Sequence, residues 1–122
     1  MMKESISLSF ELLVETLVGF GFKPTDAQVY LFLAKKGPKR GKDLVNSLKL
    51  TKQQLYHSLK KLKERGIVNS TYERPAIFSA VAIERVLDIL IKKKIEETQS
   101  MIRNKEEIIS SWRSMTSNNS EN

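Results

Sequence analysis

The chain has 122 residues, 40% of them apolar, a formal net charge of +7 and no cysteine. That length holds one compact domain with an extension rather than a two-domain enzyme, and the apolar share is enough for a core. Without cysteine there is neither a disulfide framework nor a thiolate zinc site, and nothing argues for an oxidising compartment. No run approaches the length of a membrane span. The segment around Lys3 and Glu4 has neither the apolar run nor the cleavage site of a signal peptide, so the expected location is cytoplasmic.

In chain order, the first predicted helix runs from Ile6 to Val18. Its Ile6, Phe10, Leu13 and Leu17 face, with Leu12, Val14 and Val18, is apolar almost all round, which suits an interface. Pro24-Thr25-Asp26 then opens a second helix with apolar positions at Ala27, Tyr30, Leu31, Leu33 and Ala34, and Gly37-Pro38 stops it. A short third helix spans about Gly41 to Leu48 and turns Leu44, Val45 and Leu48 inward. Lys49-Leu50 links it to Thr51 in a helix-turn-helix spacing.

The stretch from Thr51 to Val68, TKQQLYHSLKKLKERGIV, reads as the recognition helix. Thr51 is a good N-cap and Gly66 fits the left-handed position beyond the last turn. At about 100° per residue, Leu55, Leu59 and Leu62 share a narrow arc. Gln53, His57, Lys60, Lys61 and Glu64 point away from it, flanked by Gln54. A solvated basic face on an ordinary helix gives the same pattern, so the neighbouring elements decide. Ile67-Val68-Asn69 and Ile77-Phe78-Ser79-Ala80 are short strand-like runs on either side of Ser70 to Ala76, which together make a small β-hairpin, or wing. Pro75 suits a hairpin tip or an edge. The expected fold is mostly α with a small β-hairpin: a winged helix-turn-helix over residues 5–80, then a long C-terminal dimerisation helix over 81–115 and a disordered tail over 116–122.

That last helix has neither Gly nor Pro from Ala82 to about Met115. Ile83, Val86, Leu87 and Leu90 are expected to pack its first turns on the winged domain. Beyond them Ile91, Ile95, Thr98, Ile102, Lys105, Ile109 and Trp112 alternate steps of four and three, a heptad seam that Met101, Ile108 and Met115 widen. Such a stripe needs cover, either by folding back or by the same helix of a second copy; a homodimer is the expectation. Thr98 and Lys105 weaken an ideal coil and leave parallel and antiparallel pairing open.

Charge follows the same division. Residues 1–80 hold 14 Lys/Arg against 7 Asp/Glu, while 81–122 hold 7 of each, so the whole excess lies in the winged half. Within 35–65 there are eleven cations against Asp43 and Glu64. Such a patch attracts DNA, RNA or anionic lipid. The apolar face of the basic helix is used by a core, which disfavours lipid, and no RNA module or aromatic platform is visible. Double-stranded DNA is the favoured partner. The runner-up is a winged-helix module that binds another protein of the transcription machinery.

Chemistry is absent from the pattern. His57 is the single histidine, so no histidine-rich metal site or catalytic pair can form, and no glycine-rich nucleotide motif occurs. The pairs Glu96-Glu97 and Glu106-Glu107 lie in a charge-balanced helix. Neither an enzyme nor a cofactor nor a metal is expected, and no effector is legible.

The run GFGF at residues 19–22, then TDAQVYL, KKGP, DLVNSLKLTKQQLYHSLKKLKERGIV and a hairpin ending in FSAV, resembles the TrmB-like transcriptional regulators of archaea. The similarity covers roughly residues 12–90, with the AxVY, GP and LYxxLxxLxxxGIV elements in order. The resemblance implies a repressor or activator that binds operators as a dimer. Its groove-reading helix carries over to Lys52, Gln53, Gln54 and His57 with Lys60 and Lys61, and its wing to Arg74. Many members also carry a C-terminal sugar-sensing domain; this chain ends after one helix, so sugar sensing is not expected. On geometry, Gln53 and Gln54 suit adenine and His57 or Lys61 suits guanine. Lys39, Arg40, Lys42 and Lys52 suit phosphates, and Arg74 phosphate or the minor groove. Thr51 and Tyr56 complete the expected DNA-binding set.

Overall fold

A computed structural model describes residues 2–121, with side chains over 9–117. The elements are α1 (Met2–Gly19), α2 (Pro24–Lys36), β1 (Lys39–Arg40), α3 (Gly41–Leu48), α4 (Lys52–Glu64), β2 (Val68–Ser70), β3 (Ile77–Ala80) and α5 (Ile83–Glu121). They divide into two compact units, one through Leu87 and one from Asp88.

In the first unit, Pro24 occupies the first turn of α2, where its missing N–H costs nothing. Val29, Tyr30 and Leu33 of α2, Leu44 of α3 and the Leu55, Leu59 and Leu62 stripe of α4 are all buried, and α4 packs against both α2 and α3. Burial of one such leucine contributes on the order of 2 kcal/mol. Ala34, expected inward, is exposed. The turn between α3 and α4 holds Lys49 in the left-handed region at φ 54°, which lets the chain reverse within three residues. Gly66 takes φ 74° as expected and delivers Ile67 and Val68, both buried, into the sheet.

The sheet is larger than a hairpin. β2 and β3 pair antiparallel with Val68 opposite Ala80, and β1 adds to the other edge of β3 with Lys39 opposite Phe78 and Arg40 opposite Ile77. A two-residue strand has no pattern of its own and exists only because β3 offers it a free edge. The wing is closed by Thr71, whose Oγ1 accepts from the Ile77 N–H at 2.9 Å while its own N–H donates to the Ile77 carbonyl. Tyr30 fastens α2 to the segment after β3, donating its hydroxyl to the Val81 carbonyl at 2.6 Å. Burial, helped by the nearby Glu84 carboxylate, pushes this phenol up to about 12, so it stays protonated and able to donate.

Val86 is fully buried, and the compact units divide after Leu87, one turn into α5. The stretch from Thr116 to Glu121, expected as a disordered tail, continues α5. It holds neither glycine nor proline, and its threonine satisfies itself locally, since Thr116 Oγ1 donates to the Trp112 and Arg113 carbonyls. Ile6, expected on the α1 interface face, lies outside the residues whose side chains are described.

In the second unit, Ile95, Ile102 and Trp112 of the seam are at least half exposed, and Ile91, Thr98 and Lys105 are exposed as well; Ile109 is half-buried. The Thr98 hydroxyl donates to the Lys94 carbonyl at 2.8 Å, so its hydrogen-bonding demand is met within the helix and only its methyl need face a partner. Within the first unit, α1 buries Leu17 and leaves Phe10, Leu12, Leu13 and Val18 exposed.

Candidate nucleic-acid interface

α4 is anchored at its start by a reciprocal cap. The Thr51 hydroxyl accepts from the Gln54 N–H at 3.1 Å and the Gln54 Oε1 accepts from the Thr51 N–H at 3.0 Å. The Thr-x-x-Gln spacing is a sequence signature of this box, and the structure gives Gln54, expected as a bidentate adenine reader, a capping role. Its carbonyl oxygen already accepts one hydrogen bond, from the Thr51 N–H. Thr51, also in the expected DNA-binding set, supplies the other half of the cap.

One edge of α4 faces α2, and every polar side chain along it is engaged. After Gln54 comes Ser58, buried, whose hydroxyl donates to Asp26 Oδ1. One turn on, Lys61 Nζ lies 2.8 Å from Asp26 Oδ2. At the end of the helix, the Arg65 guanidinium sits over the Phe22 ring, 5.0 Å from its centre. Lys61, expected to reach guanine from the outer face, is paired here with a carboxylate on α2.

The opposite edge faces the wing and is open. Arg40, Lys42, Lys52, Lys60, Lys63 and Arg74 line a groove of about 1160 Å³ between α3, α4 and the wing, with only Glu64 and Glu73 against them. Val45, Leu59, Phe78 and Tyr56 form its apolar lining. Tyr56 stands edge-on to Phe78 with centroids 6.1 Å apart. Its hydroxyl comes so close to α3 that a Cβ on Gly41 would lie 2.5 Å from it. Glycine there lets the tyrosine brace the start of α3 against α4. Tyr56 is therefore part of the wall, with its half-exposed ring in the groove.

Between the two edges, Gln53 and His57 are exposed on the outermost line of α4. Lys39 is half-buried in β1 and does not line the groove, so of the expected phosphate group Arg40, Lys42 and Lys52 are brought together and Lys39 is not. Lys63 and Tyr72 escaped the sequence reading. Lys63 lies two turns beyond Tyr56 on the same edge, which its spacing would have shown; Tyr72 is fully exposed at the wing tip, with no periodicity to mark it. Among the described residues no group of acidic or histidine side chains could hold a metal, and no helix is long and apolar enough to cross a membrane.

A capped recognition helix, a tight preceding turn and a wing beside a cationic groove define the transcription-regulator class of winged helix-turn-helix proteins. Residues 17–84 match the family of the sugar-specific transcriptional regulator TrmB, which is more than half of the chain, and the chain belongs to that family. No curated protein matches this sequence. Among solved structures it is similar to TrmBL2, described as an archaeal chromatin protein with a novel mode of DNA binding, at TM-score 0.77 and 18% identity over 93% of this chain. The chain spans 44% of that protein's length. A possible transcriptional regulator from Methanosarcina mazei is similar at TM-score 0.64 and 18% identity, over 72% of this chain and 80% of its own. A transcriptional regulator from Thermotoga maritima gives TM-score 0.57 and 20% identity, over 99% and 93%. At these identities the likeness is one of fold.

Proposed function

We propose that this chain is a sequence-specific regulator that binds double-stranded DNA as a homodimer, with α4 in the major groove and the wing on the flanking backbone or minor groove. The observation that carries the reading is the asymmetry of α4. Polar groups on its α2 edge are consumed by the protein, while six cations collect on the wing edge beside the exposed Gln53 and His57. A folded protein gains nothing from crowding cations that lack acidic partners; a phosphate backbone supplies those partners.

Within this reading Lys42, Lys52, Lys60, Lys63, Arg40 and Arg74 hold phosphates and set the register, and Gln53 and His57 meet base edges. The seam of α5 pairs two copies, so that two recognition helices meet DNA about 34 Å apart, one helical turn. The exposed apolar face of α1 is a candidate to join that interface.

Titration of random duplex DNA across a salt series tests the DNA reading. If each protomer engages six phosphates, the slope of log K against log[salt] is about −5 for one protomer and about −11 for two. No binding even at low salt would instead favour a module that docks on another protein.

A further inference from the structure

Asp26 sits in the first turn of α2, only 7% exposed, and both of its carboxylate oxygens are directed at α4. Ser58 satisfies one oxygen but brings no charge. Lys61 supplies the charge, and its side chain is still 28% exposed, so its ammonium lies at the boundary between core and solvent. From that point on α4, next to Lys60, a lysine on a flexible four-carbon stem that lacked a carboxylate would be free to turn to a phosphate beside the major groove.

We infer that Asp26 is a specificity-determining residue that withholds Lys61 from the DNA backbone. The inference rests on the DNA-binding reading above. A backbone contact adds affinity for every sequence alike, about 5-fold per lysine at 0.15 M salt for a slope of about 0.9. Such a contact would raise binding to the mass of non-cognate sites without helping base readout. By holding Lys61 in an ion pair, Asp26 keeps the weight of recognition on Gln53 and His57.

The test compares wild type, Asp26→Asn and Asp26→Asn/Lys61→Met on random duplex DNA across a salt series, with thermal unfolding to establish that each is folded. Asparagine keeps an acceptor for Ser58 and leaves no buried charge unpaired. Asp26→Asn should bind more tightly, with a slope steeper by about 0.9 per protomer, and the double variant should return to the wild-type slope. Two results overturn the inference: a double variant shallower than wild type, which would place Lys61 on phosphate already, or three equal slopes, which would place it out of reach. In wild type itself, acetic anhydride should label Lys60 less when DNA is bound and Lys61 to the same extent with and without DNA; DNA-dependent protection of Lys61 contradicts the inference even if a variant does not fold. Absence of any wild-type binding removes the DNA reading, and the inference with it.

Discussion

Replacing Ile95 and Ile102 by aspartate should split the protein into monomers and lower its affinity for a two-half-site operator by about 10²- to 10⁴-fold, while binding to a single half-site changes little. Both side chains are at least half exposed in the single chain, so neither change removes core packing within it. The effect comes from the second copy. In a coiled coil each seam residue inserts into a hole on the facing helix, and an aspartate there buries an unpaired charge whichever way the two helices run. Once pairing is lost, the second recognition helix no longer arrives at the high effective concentration that the first provides. Sedimentation velocity reads the mass, and titration on one- and two-half-site duplexes reads the affinity. A variant that stays dimeric would show that α5 is not what joins the copies.

The second large effect is electrostatic. Removing three groove cations together, with Lys42→Ala, Lys52→Ala and Arg74→Ala, should flatten the salt slope by about 2.7 per protomer, or about 5 in a dimer. At 0.15 M salt that corresponds to an affinity loss on the order of 10⁴-fold for a dimer, the same on any sequence. Gln53→Ala should behave differently. It leaves the slope alone and relaxes preference among sites, costing on the order of 1–3 kcal/mol on the cognate one if the glutamine pairs bidentately with adenine. The three cations come from α3, α4 and the wing, so a joint effect on the slope means that all three elements meet one backbone. A triple variant with the wild-type slope would remove the groove from the interface.

Much of this arrangement could be read from the sequence because its signals are local. The Thr51 cap, the leucine arc of α4, the Gly66 exit and the glycine-free run of α5 each depend on residues within a turn or two of one another. The wing strand at Ile77–Ala80 was equally plain. Contacts made across the fold were not legible. β1 has only two residues and depends on the edge of β3, nearly forty positions later. The pairing of Asp26 with Ser58 and Lys61 spans more than thirty residues, and nothing about an aspartate near a helix start separates a buried clamp from an ordinary first-turn acid.

The same difference separates the candidate residues by their surroundings. Angular position alone put Gln54 and Lys61 beside the outward line of α4, close enough to count as readers, and only their partners showed them to be occupied. Gln54 is the exception to the rule about distance, since its partner is Thr51, three residues away, and the capping spacing was available to be read. The open set is smaller and more coherent than the sequence suggested: Gln53 and His57 at the centre, with cations running toward the wing.

Because the chain has no cysteine, Gln53→Cys carries a single thiol to which an iron chelate can be tethered, so that hydroxyl radicals cut DNA wherever the outer face of α4 lies. On an operator duplex the expected result is two clusters of cuts flanking the major groove, centred about 10–10.5 base pairs apart. Cleavage that is absent or uniform while the labelled protein remains bound would contradict the placement of α4 in the groove, and a single cluster would contradict the paired arrangement.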